Sequence, residues 1–222
     1  MLKVGTDCSG GIESPILALR KLGYKFEHKW SCEIDKHCQK NIKANYNPEI
    51  IYDDITQRNN DLLPNISLYV CGFPCQPFSM AGDRKGFEDT RGNIFFNCLD
   101  VIRKKQPEIF ILENVQGLLS HDNGNTFRVI KDELNKLHGY VIDWKVLNTK
   151  DYGIPQNRKR LYIIGKSNGN VLFPEKCEMR PISEFVDYND NREFITKSKT
   201  MIKRIPTHQD NIFVLDSSNP YS

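Results

Sequence analysis

Short apolar runs alternate with amphipathic stretches over the first two thirds of the chain. The apolar runs predict strands at residues 2–5, 28–32, 68–71, 109–112, 141–147 and 161–164. Between them, apolar side chains recur at helical spacing over residues 16–22, 35–46, 93–104 and 125–137. This alternation predicts an α/β fold built on a doubly wound sheet.

Beyond Gly165 the periodic pattern weakens. Prolines punctuate a polar segment in which we find no long periodic element: they occur in Phe173-Pro174, Arg180-Pro181, Ile205-Pro206 and Asn219-Pro220. We therefore expect one α/β domain over residues 1–166 and a separate segment over residues 167–222.

Composition narrows the class of protein. Hydrophobic residues make up 39% and charged residues 27% of the 222 residues, as in an ordinary globular protein. The sequence has neither an apolar run long enough for a membrane span nor a signal peptide, so we expect a cytoplasmic protein with no membrane partner. A nuclear location stays open for a eukaryotic or viral source.

The seven cysteines are odd in number and irregularly spaced, without a CxxC pair. This argues against a disulfide framework or a metal site, and we expect most of them to be buried apolar residues. The net charge of +3 is too small to indicate a nucleic-acid partner. Basic residues are concentrated in residues 150–166, however, so any contact with phosphates should centre on residues 158–160. A solvated basic face is the alternative.

Chemically useful residues follow the predicted strands, where open α/β sheets bind ligands. Ser9, Gly10 and Gly11 form a glycine-containing turn that could approach a ligand closely. Glu33 follows the second strand and could accept ribose hydroxyls, while Asp54 stands in a polar run further along. Each also has a simpler interpretation, namely an ordinary turn, a surface glutamate or a helix cap.

Two further strands end in reactive side chains. Pro74 and Pro77 flank Cys75 in a loop after a buried strand, which suits a rigidly presented nucleophile. Glu113 ends the strand at residues 109–112, where partial burial would let it donate a proton or a hydrogen bond. Arg158 and Arg160 would point to one side of an extended chain and could hold an anion or a base carbonyl oxygen.

The order of these segments resembles the cytosine-C5 DNA methyltransferase family over roughly residues 3–166. Residues 72–79 (GFPCQPFS) match the catalytic loop of that family, residues 113–115 its ENV motif and residues 156–160 its QxRxR motif. Residues 91–95 resemble its RGxLF segment, with Ile94 for leucine. The first motif departs from the family pattern FxGxGG, because Cys8 replaces the aromatic residue and the glycine spacing is altered.

The resemblance implies a Rossmann-like doubly wound α/β sheet of the S-adenosylmethionine-dependent methyltransferase type, S-adenosylmethionine as cofactor, and no metal. It implies duplex DNA as partner, with the target cytosine flipped out of the helix, as in restriction-modification. The implied catalytic residues are Cys75, Glu113, Arg158 and Arg160. Those implied to bind cofactor are Cys8, Ser9, Gly10, Gly11, Glu33, Asp54, Ile55, Pro74 and Ile94. Those implied to bind substrate are Gln76, Ser79, Asn114 and Gln156.

The family's C-terminal motifs are not recognisable after Gly165, although residues 180–186 look like the entry to its target-recognition region. We expect one of three explanations: a fragment or split subunit completed by a second polypeptide, a truncated form that barely methylates, or a minimal enzyme with a short recognition segment. Two other functions stay open, a tRNA cytosine-C5 methyltransferase and a non-catalytic regulatory subunit of the same fold.

Overall fold

The computed structural model describes residues 1–74 and 94–186. Within them the strands are β1 (Leu2–Asp7), β2 (Phe26–Cys32), β3 (Ile50–Tyr52), β4 (Leu68–Cys71), β5 (Ile109–Val115), β6 (Val141–Asn148) and β7 (Lys159–Lys166). The α-helices of the same ranges are α1 (Ser14–Lys21), α2 (Lys36–Asn45), α3 (Ile94–Lys105) and α4 (Asn125–Leu134). None of these helices is long and apolar enough to cross a membrane.

The seven strands form one sheet in the order β3-β2-β1-β4-β5-β7-β6. The pairs from β3 to β5 are parallel, whereas β7 runs antiparallel to both β5 and β6. The strand order reverses between β1 and β4, which is where open α/β sheets form their ligand crevice. Since β7 is antiparallel, its first residues lie at the same edge as the carboxyl ends of β1, β4 and β5, and Arg160 pairs with Val115 there.

Both faces of the sheet are buried. Tyr69 and Cys71 of β4 belong to a larger apolar cluster that includes buried residues of α3 and α4. Leu68 and Val70, which alternate with them, belong to a smaller cluster with Ile16 of α1. Helices on both faces are what a doubly wound sheet requires, so the predicted fold class is confirmed.

Two features of the sheet were not predicted. β3 is only three residues long, too short for a periodic signal. The direction of β7 depends on its pairing partners, which the local pattern of apolar residues does not encode. The strands also run further than predicted, to Asp7 in β1 and to Val115 in β5, and these extensions reach the edge where the candidate site lies.

Candidate active site at the carboxyl edge of the sheet

The turn after β1 has an unusual backbone. Cys8 and Gly10 have positive φ angles of 52° and 62°. A Cβ on Gly11 would lie 3.1 Å from the Cα of Cys38, so glycine lets the turn pack directly on α2. The hydroxyl of Ser9 is buried without a hydrogen-bond partner among the described residues. A tight turn with an unsatisfied polar group fits a ligand-binding loop.

Glu33 and Asp54 follow β2 and β3 at the same edge. One carboxylate oxygen of Glu33 accepts the backbone N–H of Asp35 at 3.1 Å. One carboxylate oxygen of Asp54 accepts both the backbone N–H and the hydroxyl of Thr56, each at 2.8 Å. Each side chain therefore stabilises its own turn, as the simpler interpretation expects. Ile55 is buried in the larger apolar cluster.

A buried ion pair ties the Asp54 segment to β1. The guanidinium of Arg58 donates to both carboxylate oxygens of Asp7 at 2.8 Å, and the two side chains are 2% and 0% exposed. The Tyr69 hydroxyl and the Trp30 indole N–H also donate to Asp7, at 2.6 and 3.0 Å. Sequence reasoning missed this network, since nothing in a pattern links residues that are 51 positions apart.

Gly72 joins the glycine turn to the strand ends beside it. Its N–H donates to the carbonyl of Asp7 at 3.2 Å. A Cβ at this position would lie 2.9 Å from the carbonyl oxygen of Cys8 and 3.6 Å from a carboxylate oxygen of Glu113. A side chain here would collide with the turn, so glycine allows three segments of the site to meet.

The segment after Gly72 is held by Asn114. The amide of Asn114, which is 2% exposed, donates to the carbonyl of Phe73 at 2.9 Å. Its side-chain oxygen accepts the N–H of Val115 at 2.8 Å. Asn114 is thus bound to protein backbone on both sides, and it fixes the peptide that leads to the exposed Pro74.

Glu113 forms an ion pair with Arg160 across β5 and β7. The Nε of Arg160 lies 3.1 Å from Oε1 of Glu113, and the side chains are 22% and 29% exposed. Tyr162 pairs with Glu113 in register, so it shares the same face of the sheet. Burial and the charge of Glu113 raise the pKa of Tyr162 above its ordinary value. The half-buried Glu113 predicted from the sequence is confirmed.

Arg158 and Gln156 lie just before β7 and are exposed. The side-chain oxygen of Asn148 accepts the N–H of Arg158 at 3.0 Å. The hydroxyl of Thr149 donates to the carbonyl of Gln156. These contacts hold the loop backbone against the end of β6 and leave both long side chains toward solvent. Arg158 is therefore outside the strand that carries Arg160.

The structure brings Cys8, Gly72, Glu113 and Arg160 close together at this edge of the sheet. Ile94 begins α3 and packs, half-buried, against the larger cluster. Three predicted residues lie outside the described residues: Cys75, Gln76 and Ser79. Among the cysteines that are described, Cys32, Cys71 and Cys98 are buried as expected, while Cys8 and Cys38 are half-buried and Cys177 is exposed.

Solved structures share this fold. Fission yeast (S. pombe) Dnmt2 methyltransferase aligns with a TM-score of 0.61 at 23% identity, over 78% of this chain and 53% of its own. The Entamoeba histolytica methyltransferase EhMeth aligns with a TM-score of 0.63 at 20% identity, over 86% of this chain and 61% of its own. At these identities the likeness concerns the fold alone.

Sequence relatives are closer. The type II methyltransferase M.NgoBI of Neisseria gonorrhoeae is 42% identical over 183 residues, 82% of this chain and 56% of its own length. The type II methyltransferase M.HaeII of Haemophilus aegyptius is 46% identical over 159 residues, 72% of this chain and 49% of its own. The chain thus spans about half the length of these curated relatives. The model of one family, C-5 cytosine-specific DNA methylase, matches residues 6–219. With a match of that extent, the chain belongs to the C-5 cytosine-specific DNA methylase family.

Proposed function

We propose that this chain is the catalytic and cofactor-binding part of a DNA (cytosine-5-)-methyltransferase. The observation that carries the proposal is the Glu113–Arg160 pair beside Gly72, the first residue of the GFPCQPFS run. A carboxyl group and a guanidinium at this point can bind the polar edge of a base, while the next residues of the run supply a thiol. Membership of the family supports DNA as substrate over tRNA, and the catalytic over the regulatory alternative.

The residues at the carboxyl edge of β1, β2 and β3 fit S-adenosylmethionine. Bound there, this cofactor would supply a methyl group on a positively charged sulfur. The turn at residues 8–11 offers close backbone approach and the unsatisfied Ser9 hydroxyl. Glu33 would accept ribose hydroxyls and Asp54 the adenine amino group, while Ile55, Pro74 and Ile94 would border the site.

Cytosine C5 is a weak nucleophile, and the chain's residues would activate it by covalent catalysis. The Cys75 thiolate would add to C6, forming an S–C6 bond, and the π electron pair of the C5–C6 double bond would move to C5, which becomes the nucleophile. Glu113 binds the amino group and N3, and Arg160 with Arg158 binds O2. C5 would then take the methyl group, with the neutral thioether as the leaving group. A base would remove the proton from C5, the electrons of that C–H bond would re-form the C5–C6 double bond, and the S–C6 bond would break to release the Cys75 thiolate.

A cytosine inside a duplex is out of reach of this chemistry, so the target base must flip out of the stack at a cost of a few kcal/mol. Gln76, Ser79 and Gln156 would contact the flipped nucleotide or its phosphates. For Asn114 we propose a role through the backbone that it holds, since its amide is bound to the carbonyl of Phe73.

Residues 1–166 would form the catalytic and cofactor-binding domain, and residues 167–222 the start of the target-recognition region. The described part of that second region folds back on the loop before β7. Tyr152 and Cys177 pair through their backbones in an isolated parallel β-bridge. The Nζ of Lys176 lies 2.9 Å from Oδ2 of Asp151. Duplex DNA is the proposed partner, and a second polypeptide that carries the remaining family motifs stays a prediction.

A mechanism-based trap tests the proposal. A duplex carrying 5-fluorocytosine cannot lose fluorine from C5, so the covalent intermediate accumulates on the nucleophile. With S-adenosylmethionine the wild-type chain should form an adduct that survives denaturation, and Cys75→Ser should form none. Cys177→Ser, which removes an exposed thiol of the described residues, should trap like the wild type. No adduct from the wild type, in isolation or with a polypeptide that carries the missing motifs, would overturn the proposal.

A further inference from the structure

Glu13, between the glycine turn and α1, combines two unfavourable features. Its backbone is left-handed, with φ 47° and ψ 52°, a conformation that favours glycine over residues with a Cβ. The residue is 1% exposed, although a carboxyl group is costly to bury unless it is hydrogen-bonded. Such a residue persists only where its surroundings determine its conformation, and strain of this kind clusters at ligand sites.

The surroundings of Glu13 come from β1 and β2. The Ser31 hydroxyl donates to Oε1 of Glu13 at 2.6 Å, and the Thr6 hydroxyl lies 3.1 Å from the same oxygen. The Nε2 of His28 lies 3.1 Å from the Ser31 hydroxyl and 3.2 Å from that of Thr6. The side chain of Glu13 thereby attaches one end of the turn to β1 and β2.

Some buried polar atoms in and beside this hydrogen-bond network around Glu13 have no partner in the described part of the chain. Oε2 of Glu13 and Nδ1 of His28 are buried without a hydrogen-bond partner among the described residues, as is the Ser9 hydroxyl within the turn. A purely structural network would satisfy its polar groups, because each unmade hydrogen bond is costly. The hydrogen bonds to Oε1 thus hold Glu13 in its left-handed conformation, while Oε2 remains without a partner among the described residues.

We propose that Glu13 is a positioning residue for the cofactor: its side chain holds the turn at residues 8–11 against β1 and β2 through Thr6 and Ser31. The inference rests on the proposed function, since this turn is the one assigned to S-adenosylmethionine. Oε1 can accept from Ser31 in either protonation state of the carboxyl group. A glutamine can do the same, whereas an alanine has the same cost at positive φ and lacks the hydrogen bonds that hold the residue in that conformation.

The test is the equilibrium dissociation constant of S-adenosylmethionine, measured by calorimetry on the folded 222-residue chain. Glu13→Ala should raise it by about tenfold or more, because an untethered left-handed alanine relaxes and the turn moves with it. Ser31→Ala should change it in the same direction. Glu13→Gln should stay within about threefold of the wild type, because the tether is kept.

Ile16→Val is the matched control. Ile16 is buried in α1, three residues after Glu13, and its shortening lowers stability without touching the tether. This variant should bind the cofactor as the wild type does. In methyl transfer, Glu13→Ala should raise KM for S-adenosylmethionine and leave kcat and KM for DNA nearly unchanged, a split that a general loss of stability would not produce.

The outcomes separate the two proposals. If the wild type binds and Glu13→Ala binds equally well, the inference is overturned and the proposed function stands. If the Ile16→Val control weakens binding as much as Glu13→Ala, the effect is one of stability and the inference is again overturned. If the wild type does not bind S-adenosylmethionine at all, the proposed function fails and the inference falls with it.

Discussion

Glu113 and Arg160 lie on strands that run in opposite directions, and their side chains meet at 3.1 Å because β7 returns antiparallel to β5. Glu113→Gln keeps the shape of the side chain, but the amide can neither carry a charge nor transfer a proton as a carboxyl group can. We expect kcat for methyl transfer to fall by about 100-fold or more, the usual scale for loss of an acid–base group. Steady-state kinetics with labelled cofactor measures this change.

Glu108→Gln provides the control, because Glu108 is exposed and directly precedes β5. It should keep the wild-type kcat. A Glu113→Gln enzyme with wild-type kcat would show that the Glu113–Arg160 pair is structural only.

We expect the buried Glu13 and His28 to change the pH dependence of the free energy of unfolding in opposite directions. Burial raises the pKa of Glu13 from 4.5 to about 7 and lowers the pKa of His28 from 6.5 to about 4. The stability linked to Glu13 is present below pH 4.5 and is lost as pH rises through 7. The stability linked to His28 is present above pH 6.5 and is lost as pH falls through 4. Between pH 4.5 and 6.5 the two opposite trends should cancel.

Single substitutions should expose each trend. In Glu13→Gln only the His28 trend remains, so the free energy of unfolding should rise with pH from 4 to 6.5 more steeply than in the wild type. In His28→Gln only the Glu13 trend remains, so the free energy of unfolding should fall relative to the wild type as pH rises from 4.5 to 7. The slope in each case is at most about 1.4 kcal/mol per pH unit. Urea unfolding across this range measures it, and wild-type pH dependence in both variants would refute the assignment.

At the scale of elements, the Asp7–Arg58 pair connects β1 to the segment that carries Asp54. Removing one partner of a buried ion pair leaves the other charge unpaired, so Arg58→Ala should lower the free energy of unfolding by about 3 to 5 kcal/mol. Tyr69→Phe removes one hydrogen bond to Asp7 and disrupts the same network less. It should lower the free energy of unfolding by about 1 kcal/mol. Urea denaturation measures both.

The matched control is Arg103→Ala, which breaks a more exposed pair with Glu133 at 3.1 Å. It should cost less than about 1 kcal/mol. If Arg58→Ala cost no more than this control, the buried pair would not be the anchor of the Asp54 segment.

Gly72 tests how closely the elements of the site are packed. In Gly72→Ala the new Cβ would lie 2.9 Å from the Cys8 carbonyl oxygen, which is backbone and can move only with the turn. We expect a loss of about 1 to 3 kcal/mol in stability and weaker binding of S-adenosylmethionine. Gly117→Ala, where a Cβ would meet nothing within 4 Å, should change neither. Equal effects of the two variants on cofactor binding would contradict the packing described at Gly72.

Much of the sheet could be predicted because its central strands are continuous apolar runs flanked by amphipathic helices. β3 could not, since Ile50–Tyr52 is too short to show a period. The site residues within motifs, such as Glu113 and Arg160, were found by their order along the chain. Glu13 and Arg58 were not, because a carboxylate buried by Thr6 and Ser31, or a guanidinium buried against Asp7, depends on contacts across the sheet.

At the scale of the whole molecule, the sheet order places the turn at residues 8–11, for which we propose cofactor binding, at the same edge as the Glu113–Arg160 pair. β1 and β4 are neighbours at the point where the strand order reverses, and Gly72 lies between the turn and Glu113. Cofactor and base would thus approach from adjacent strands, which shortens the path for methyl transfer. The central claim is that these parts methylate C5 of cytosine in DNA through Cys75.

The most direct measurement is mass spectrometry of nucleosides after duplex DNA and tRNA are incubated separately with the chain and S-adenosylmethionine. We predict 5-methyl-2′-deoxycytidine from duplex DNA with the wild type, and none with Cys75→Ser. Methylation of tRNA alone, or 5-methyl-2′-deoxycytidine that persists in Cys75→Ser, would contradict it.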